Sequence, residues 1–380
     1  MALPLLPYRD PAVYKSIDCV PTLIEKGGYK RPLVITDENL YSCGVISPLI
    51  EALDGAGIAY SIFKDVVFNP TTATVENALA VYKAEKCDCI IAFGGGSPMD
   101  TAKAVGARAA RPKKSLAKMK GILKVGKKIP FLIAVPTTCG TGSETTLAAV
   151  IVDEQTRHKY AINDFPLIPK AAVLDASVLD KLPSKLVAYT GLDALTHAIE
   201  AYIGRSTTKA TRSDALMAVK LVFENLENAV GGDSAALSEM LDAAHLAGRA
   251  FSKSYVGYVH ALAHALGGKY NVAHGFANAV LLPTVLDEYG SKIYAKLAKA
   301  AKYCGFADDR DDKAAAANSF LKKLSELEER LGIPREFDCI RQEDIAELAR
   351  YAAKEANPLY PVPMLWSEKR LADIYGKVRV

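Results

Sequence analysis

Three of the six histidines of this 380-residue chain lie within fifteen residues of one another. His260 and His264 stand four residues apart in a run rich in alanine and leucine, so a helix would place them on one face, one turn apart. His274 follows the Gly267-Gly268 pair, which we interpret as a helix break that lets the chain fold back. Spacing leaves open which of His260 and His264 would bind a metal, because both could reach it.

A second run, GLDALTHAIEAY at residues 191–202, places Asp193 and His197 four residues apart on one helical face. One carboxylate oxygen and three imidazole nitrogens suit a divalent transition metal, and a further histidine beside them suits proton transfer. A single histidine in an apolar helix is more often a hydrogen-bonded core residue. Four of the six histidines fall into these two clusters, however, which predicts a metal site.

The composition limits the class of protein. With 380 residues, half of them hydrophobic, the chain is long enough for two domains. Its formal net charge of +4 argues against a dedicated nucleic-acid-binding protein, and no apolar run is long enough to predict a membrane span. Seven scattered cysteines indicate reduced thiols, and the first residues lack a signal-peptide pattern. We therefore expect a cytoplasmic protein with neither nucleic-acid nor membrane partners.

The first half of the chain alternates between strand-like and helix-like segments. This alternation predicts an α/β fold with a doubly wound, Rossmann-like parallel sheet, which binds ligands at the carboxyl ends of its strands. A β-hairpin with a charged turn is expected at residues 145–162. The other predicted strands lie at residues 33–36, 60–66, 89–93, 131–135 and 171–174, and the predicted helices lie at 44–53 and 71–86.

Two polar, glycine-rich loops follow predicted strands. In FGGGSPMDTAKAVG at residues 93–106, the glycines would let a phosphate approach the backbone, Ser97 would cap the next helix, and Asp100 would complete a capping box. PTTCGTGSETT at residues 136–146 would hold a second part of the same dinucleotide. Without a GxGxxG pattern, the first loop could also be a tight turn. A nucleophilic serine or Cys139 in the second loop is a weaker alternative.

Three further charged features accompany these loops. Asp37, just past an early strand, would bind the ribose hydroxyls and favour NAD over NADP, or else would cap a helix. Lys159 would point back toward the loops or remain a surface lysine. Residues 111–128 contain eight Lys or Arg and no acid, and we interpret them as a solvated surface segment.

From about residue 182 the pattern becomes helical, which places a domain boundary near Pro183. We predict a dinucleotide-binding α/β domain at residues 1–182 and an all-helical metal and catalytic domain at residues 183–380. The predicted helices lie at residues 185–203, 213–228, 235–252, 260–268, 292–302, 313–330 and 342–354.

Four sequence motifs together resemble the signatures of the iron-containing, group III alcohol dehydrogenase family. They are GGGSPMDTAK, PTTCGTGSE, GLDALTHAIEAY and HALAHALGG with AHGFANAVLLP. The resemblance covers nearly the whole chain and implies a dehydroquinate-synthase-like architecture and a homodimer or higher homo-oligomer. It implies a metal, Fe(II) or alternatively Zn(II), held by Asp193, His197, His260 and His274, with His264 placed beside the nicotinamide.

The resemblance also implies contacts with NAD, with NADP as the alternative, from the two loops and from Lys159. Asp37 matches the position at which NAD-preferring members carry an aspartate. Asp100, which belongs to the first loop motif, is also predicted to be part of the cofactor site. The full predicted cofactor site is Asp37, Gly95, Gly96, Ser97, Asp100, Thr137, Thr138, Thr141 and Lys159.

These features predict a metal-dependent, NAD-linked alcohol dehydrogenase that reversibly oxidises a small alcohol to an aldehyde or ketone. Hydride transfer would take place in an interdomain cleft, with the metal as a Lewis acid and His264 as a proton relay. The alternatives are a dehydroquinate-synthase-like lyase with NAD and zinc, and a non-catalytic NAD-binding protein.

The segment FSKSYVGYVH before His260 departs from the family pattern. If the helix extends backward from His260, Lys253 lies on the same face, seven residues away. This predicts a pocket for a polar or carboxylate-bearing alcohol, such as a diol or an omega-hydroxy acid like 4-hydroxybutyrate.

Overall fold

The computed structural model describes residues 8–155 and 159–380 of the chain. The chain forms two compact units, which in the described part comprise residues 8–155 with 159–182 and residues 183–380. The first unit contains strands and helices, and the second contains helices without a strand among its described residues. The predicted α/β sheet followed by an all-helical region is confirmed.

The first unit is built on a sheet of six strands, all paired in parallel. The unit as a whole, including a second small sheet, has the strands β1 (Ala12–Tyr14), β2 (Pro32–Ile35), β3 (Ser61–Phe63), β4 (Cys89–Gly94), β5 (Gly121–Ile122), β6 (Phe131–Pro136), β7 (Ala148–Val152), β8 (Lys159–Asn163) and β9 (Ala171–Val173). Its helices are α1 (Cys19–Lys26), α2 (Glu38–Ser42), α3 (Ser47–Gly55), α4 (Thr72–Ala84), α5 (Gly96–Ala110) and α6 (Leu116–Met119). The six-stranded sheet has the order β1-β9-β6-β4-β2-β3.

A second, small sheet contains the predicted hairpin. β7 and β8 pair antiparallel over five residue pairs, and β5 joins β8 in parallel. The charged turn of the hairpin includes residues 156–158, which lie outside the described part of the chain. The hairpin prediction is therefore confirmed for its two strands.

The strand order places a topological switch point between β2 and β4. The chain leaves β2 for β3 on one side, and then returns to form β4 on the other side of β2. Both strands are buried along their whole length, as expected for apolar strands covered on two faces. In open parallel sheets the loops after such a pair of strands form the ligand-binding crevice. Asp37 lies in the loop after β2 and Gly95 directly follows β4, and the sequence analysis selected both residues.

The second unit packs its long helices in pairs. α7 (Ser184–Ile203), α8 (Lys209–Val230) and α9 (Ser234–Ser254) contact one another, and α7 also packs against α11. None of the helices in the described residues is long and apolar enough to cross a membrane. The remaining helices are α10 (Tyr258–Tyr270), α11 (His274–Tyr289), α12 (Tyr294–Tyr303), α13 (Lys313–Arg330), α14 (Ile345–Ala356) and α15 (Glu368–Lys377).

The helix break predicted at Gly267-Gly268 is wrong. α10 continues through both glycines and ends at Tyr270, where Asn271 takes the left-handed conformation with a φ of 55°. Asparagine tolerates that conformation better than most residues, so it ends a helix much as glycine does. The prediction also lacked β1, β5, α1, α6, α11 and α15. α11 is buried around most of its circumference and contains Pro283, so it shows neither the expected period nor an uninterrupted helical composition.

The condition for placing Lys253 on the same face as His260, a helix that extends backward from His260, is not met. α9 ends at Ser254, Tyr255 has a φ of 65°, and α10 begins only at Tyr258. Residues on the two sides of this bend do not follow one helical period. The geometric reason for placing Lys253 on the same face as His260 is therefore lost.

Gly275 permits a very close approach of α11 to α7. A Cβ atom at this position would lie 2.3 Å from the backbone oxygen of Tyr189 and 3.4 Å from the Cβ atom of Asp193. The first distance is shorter than any van der Waals contact, and a backbone oxygen cannot rotate away from it. Only glycine therefore allows these two helices to pack at the observed separation.

We expect Gly275→Ala to lower the free energy of unfolding by about 1–3 kcal/mol, because α11 must move away from α7. Gly268→Ala is a matched control, since a Cβ there meets nothing within 4 Å and alanine is the better helix former. Thermal and urea unfolding of the two variants measure the difference. Equal stability of the two variants would contradict the close contact at Gly275.

Candidate active site

Four predicted metal ligands come together in the helical unit. Asp193 and His197 on α7, His260 on α10 and His274 on α11 each offer one ligand atom, and these atoms all lie within 4.8 Å of one another. Asp193 Oδ1 lies 3.5 Å from His274 Nε2 and 3.9 Å from His260 Nε2. Bonds of ~2.0–2.2 Å to a tetrahedral ion place ligand atoms ~3.4 Å apart. One carboxylate and three imidazoles at these separations fit a divalent transition metal.

The helices explain why these side chains meet. Asp193 and His197 are one turn apart on α7, on the face that is buried. After α10 ends, a three-residue turn from Asn271 returns the chain so that His274 is the first residue of α11. The predicted return of the chain is thus observed, although the turn lies at Asn271 rather than at the two glycines.

Glu200, one turn beyond His197, connects the metal cluster to the start of α10. Its carboxylate accepts the backbone N–H groups of Gly257 and Val259, each at 2.8 Å. Its Oε2 also lies 2.6 Å from His260 Nδ1. Because the carboxylate accepts hydrogen bonds here, His260 donates through Nδ1 and keeps the Nε2 lone pair directed at the cluster.

The protonation of this pair follows from its burial. Burial raises the pKa of the Glu200 carboxyl to about 7, while the two backbone N–H groups oppose that rise. Burial and the neighbouring imidazoles lower the pKa of His260 well below its usual value. His260 is therefore a neutral imidazole, which is the form that binds metals.

Asn278 on α11 also lies within the cluster, and the sequence analysis did not identify it. Its amide nitrogen lies 2.7 Å from Asp193 Oδ1, 3.2 Å from His274 Nε2 and 3.3 Å from His260 Nε2. Its position four residues after His274 was the available signal, since this spacing puts both side chains on one helical face.

His264 lies beside the four-residue cluster. Its ring stacks on that of His274 with centroids 5.1 Å apart, and its Nδ1 lies 2.7 Å from Glu355 Oε1. Glu355 Oε1 also accepts a hydrogen bond of 2.6 Å from the hydroxyl of Tyr360. Burial tends to raise the pKa of Glu355, but the charge of His264 and the hydrogen bonds from both neighbours lower it overall. Glu355 and Tyr360 are further residues that sequence reasoning missed, because each is remote from His264 in the chain.

In the α/β unit, α5 starts earlier than predicted. The helix begins at Gly96 with Gly95 as its N-cap, and no side chain caps it. The predicted Ser97 cap and Asp100 capping box are therefore wrong, since Ser97 lies inside the first turn. Asp100 instead accepts a hydrogen bond from Ser143 Oγ at 3.2 Å. The backbone N–H groups at the start of α5 remain available to bind an anion.

The second predicted cofactor loop lies directly against the first. The backbone N–H of Thr137 donates to the Gly94 oxygen at 3.2 Å. A Cβ at Gly95 would lie 3.2 Å from Thr138 Cγ2, and one at Gly96 would lie 3.5 Å from Thr141 Cγ2. A side chain at Gly95 would crowd Thr138, whereas one at Gly96 would make ordinary contact with Thr141, so the close approach of the two loops depends on Gly95.

Lys103 on α5 holds the second loop in place. Its fully buried ammonium group donates to Ser143 O and Oγ, Thr146 Oγ1 and Ala148 O at 2.6–2.9 Å. Burial lowers the pKa of Lys103 to about 8, against the opposing charges of Asp100 and Glu144. The sequence analysis missed this lysine, which contacts the loop rather than solvent.

The other features that the sequence analysis selected in the α/β unit are Asp37, Lys159, Cys139 and the basic segment at residues 111–128. Asp37 caps α2, accepting the Leu40 N–H at 3.0 Å, so the capping alternative is observed for one of its oxygens. The Lys159 ammonium donates to Asn69 Oδ1 at 2.9 Å. Cys139 is fully buried, which removes the access that a nucleophile needs, and all seven cysteines are free thiols. In the basic segment at residues 111–128 most lysines are exposed, as expected for a solvated surface.

Comparison with known proteins identifies the family. A model described as iron-containing alcohol dehydrogenase matches residues 14–176, and its C-terminal counterpart matches residues 187–378. The chain belongs to the iron-containing alcohol dehydrogenase family. Lactaldehyde reductase of Escherichia coli (strain K12) is 37% identical over 332 residues, which cover 87% of each chain.

Solved structures agree with this alcohol dehydrogenase assignment. A 1,3-propanediol oxidoreductase superposes with a TM-score of 0.94 at 34% identity, over 98% of this chain and all of that one. Sulfoacetaldehyde reductase from Bifidobacterium kashiwanohense, in complex with NAD+, gives a TM-score of 0.87 at 26% identity, over 98% of both chains. The predicted family and the predicted class of enzyme, an alcohol dehydrogenase, are confirmed.

We expect Glu200→Gln to weaken metal binding by this alcohol dehydrogenase about 10- to 100-fold. An amide at this position offers one acceptor oxygen where the carboxylate accepts three hydrogen bonds, so His260 loses its orientation. Competition of the purified protein with a chromophoric chelator for Zn(II) measures the affinity. Glu224→Gln, at a side chain 53% exposed on α8, controls for the loss of one charge. Equal affinity in both variants would contradict the role of Glu200.

Proposed function

We propose that this alcohol dehydrogenase uses NAD and a divalent metal to interconvert a small diol and the corresponding hydroxyaldehyde or hydroxyketone. The convergence of four donor atoms within 4.8 Å of one another carries this proposal. Asp193, His197, His260 and His274 would hold Fe(II), with Zn(II) as the alternative. A cation held there supplies Lewis acidity, which lowers the pKa of an alcohol.

The α/β unit would bind the dinucleotide at the ends of β2, β4 and β6. Gly95, Gly96, Ser97 and the start of α5 would bind the phosphates, with Asp100 holding the second loop through Ser143. The second oxygen of Asp37 would accept ribose hydroxyls and disfavour the 2′-phosphate of NADP. The other proposed cofactor contacts are Thr137, Thr138, Thr141 and Lys159.

His264 would relay the alcohol proton. Its Nδ1 contact with Glu355 orients the ring, which leaves Nε2 to accept a proton. About 35% of its side chain is exposed, so the proton can pass on to water. The ring remains beside the metal donors without replacing any of them.

A diol is favoured over a hydroxy acid by the charges near His264. Glu355 adds a carboxylate beside the histidine cluster, and a second carboxylate on the substrate would be repelled there. Lys253, which suggested a hydroxy acid, lies beyond the bend at Tyr255. Relatives named for lactaldehyde and 1,3-propanediol support the diol. A hydroxy acid such as 4-hydroxybutyrate is the second candidate, supported by the relative named for sulfoacetaldehyde.

We also infer a homo-oligomer, with a homodimer as its smallest form, in the cytoplasm. The family resemblance supports the assembly. The seven free thiols support a reducing compartment.

His264→Ala should retain the metal while lowering the rate of alcohol oxidation about 10²- to 10⁴-fold, as expected when a proton-transfer group is removed. Asp193→Ala should lose metal and rate together. Elemental analysis of each purified variant gives the metal content, and NADH absorbance gives the rate. A metal-free His264→Ala protein would overturn this division of roles.

An anaerobic assay of the metal-stripped protein tests the reaction as a whole. With NAD, we expect NADH from 1,2-propanediol and 1,3-propanediol only after Fe(II) or Zn(II) is added. 4-Hydroxybutyrate should give less NADH than either diol. With NADP in place of NAD, each diol should give less reduced cofactor. NAD binding without NADH from any alcohol would favour the lyase or the non-catalytic alternative.

A further inference from the structure

The carboxamide of Asn278 has an unusual set of neighbours. The side chain is fully buried, and its NH₂ end points at ligand atoms from all three helices of the metal cluster. Its contacts are with Asp193, His260 and His274, and each contact atom is one that the proposed metal site uses.

The oxygen end of the same carboxamide is unsatisfied. Asn278 Oδ1 is buried and has no hydrogen-bond partner among the described residues. A buried amide oxygen without a partner is destabilised, because it has lost its hydrogen bonds to water. A half-turn about the last side-chain bond exchanges the oxygen and the nitrogen, because the two ends are nearly equal in size.

The electrostatics of the cluster decide which end a cation would meet. An N–H dipole directed at a divalent cation is repelled, whereas a carbonyl oxygen is attracted to it and is a ligand that hard divalent metals accept. Nδ2 now contacts Asp193 Oδ1, His260 Nε2 and His274 Nε2, and these are the atoms that would bind the cation. The same half-turn would bring Oδ1 to the cation and remove the repulsion, and it would move the NH₂ group to the position that Oδ1 now occupies.

We propose that Asn278 is a fifth metal-binding residue, whose carboxamide oxygen turns toward the cation held by Asp193, His197, His260 and His274. The inference rests on the proposed metal site and extends it. A second oxygen ligand favours metals that accept five or six ligands, such as Fe(II) and Co(II), over Zn(II) with four.

Metal affinity of the stripped full-length protein tests the proposal without any assay of activity. We expect Asn278→Ala to bind Co(II) about 10- to 100-fold more weakly than wild type, in competition with a chromophoric chelator, and to lose less affinity for Zn(II). The visible Co(II) absorption should become more intense, since its intensity rises as the number of ligands falls. Asn225→Ala, at a half-buried asparagine of α8 that donates to the Leu221 oxygen, should change neither property.

Asn278→Asp separates a ligand from a hydrogen-bond donor. A carboxylate oxygen can replace the amide oxygen as a ligand, so this variant should match or exceed the wild-type affinity. If Asn278 only donates to Asp193, the new carboxylate would face another at 2.7 Å. Affinity would then fall at least as far as in Asn278→Ala, and the proposal would be wrong.

Two further outcomes separate this proposal from the proposed function. Wild-type affinity and spectrum in Asn278→Ala would overturn the fifth ligand alone. Failure of the wild-type protein to bind one Co(II) per chain, with Asp193→Ala unchanged from it, would overturn the metal site itself and this inference with it. Thermal unfolding of each metal-free variant tests whether it is folded. If Asn278→Ala is unfolded, the isosteric Asn278→Asp variant provides the comparison.

Discussion

The buried carboxylate of Glu200 fixes the relation between the two helices that supply most of the metal donors. It accepts the N–H groups of Gly257 and Val259 at the start of α10, which have no partner within that helix, and its Oε2 also contacts the ring of His260. Gly257 makes this possible, because a Cβ there would lie 2.7 Å from Glu200 Oε1. The position of α10, the orientation of His260 and the availability of its Nε2 lone pair therefore depend on one group.

The α/β unit uses a related solution with the opposite charge. The ammonium group of Lys103 is surrounded by oxygens of the second loop, and it fixes that loop against α5 without leaving its charge unpaired. Glycines at the end of β4 then let the two loops come together. In each unit a buried charged side chain, Glu200 or Lys103, forms hydrogen bonds with backbone groups. The residues proposed to contact the metal or the cofactor lie next to these side chains.

The sequence predicted the site better than it predicted the elements around it. Asp193, His197, His260 and His274 were recoverable because helical spacing and a family resemblance select them independently of the exact helix ends. The start of α5 was mispredicted because a serine followed by proline has the composition of a cap, whereas Gly95 and Gly96 adopt the helix start in its place. α11 was missed because burial on nearly all sides erases the periodic pattern. Contacts such as Glu355 with His264, 91 positions apart, leave no local signal at all.

The exposure of the four donors is uneven, and this determines how a bound cation would exchange with solvent. Asp193, His197 and His260 are each at most 5% exposed, whereas 36% of the His274 side chain is exposed. Release of a cation would begin with rotation of the His274 ring, while the three inner donors stay fixed by α7 and α10. The lifetime of the loaded enzyme would therefore be set by the freedom of one imidazole at the mouth of the site, and the stacked ring of His264 restrains that freedom.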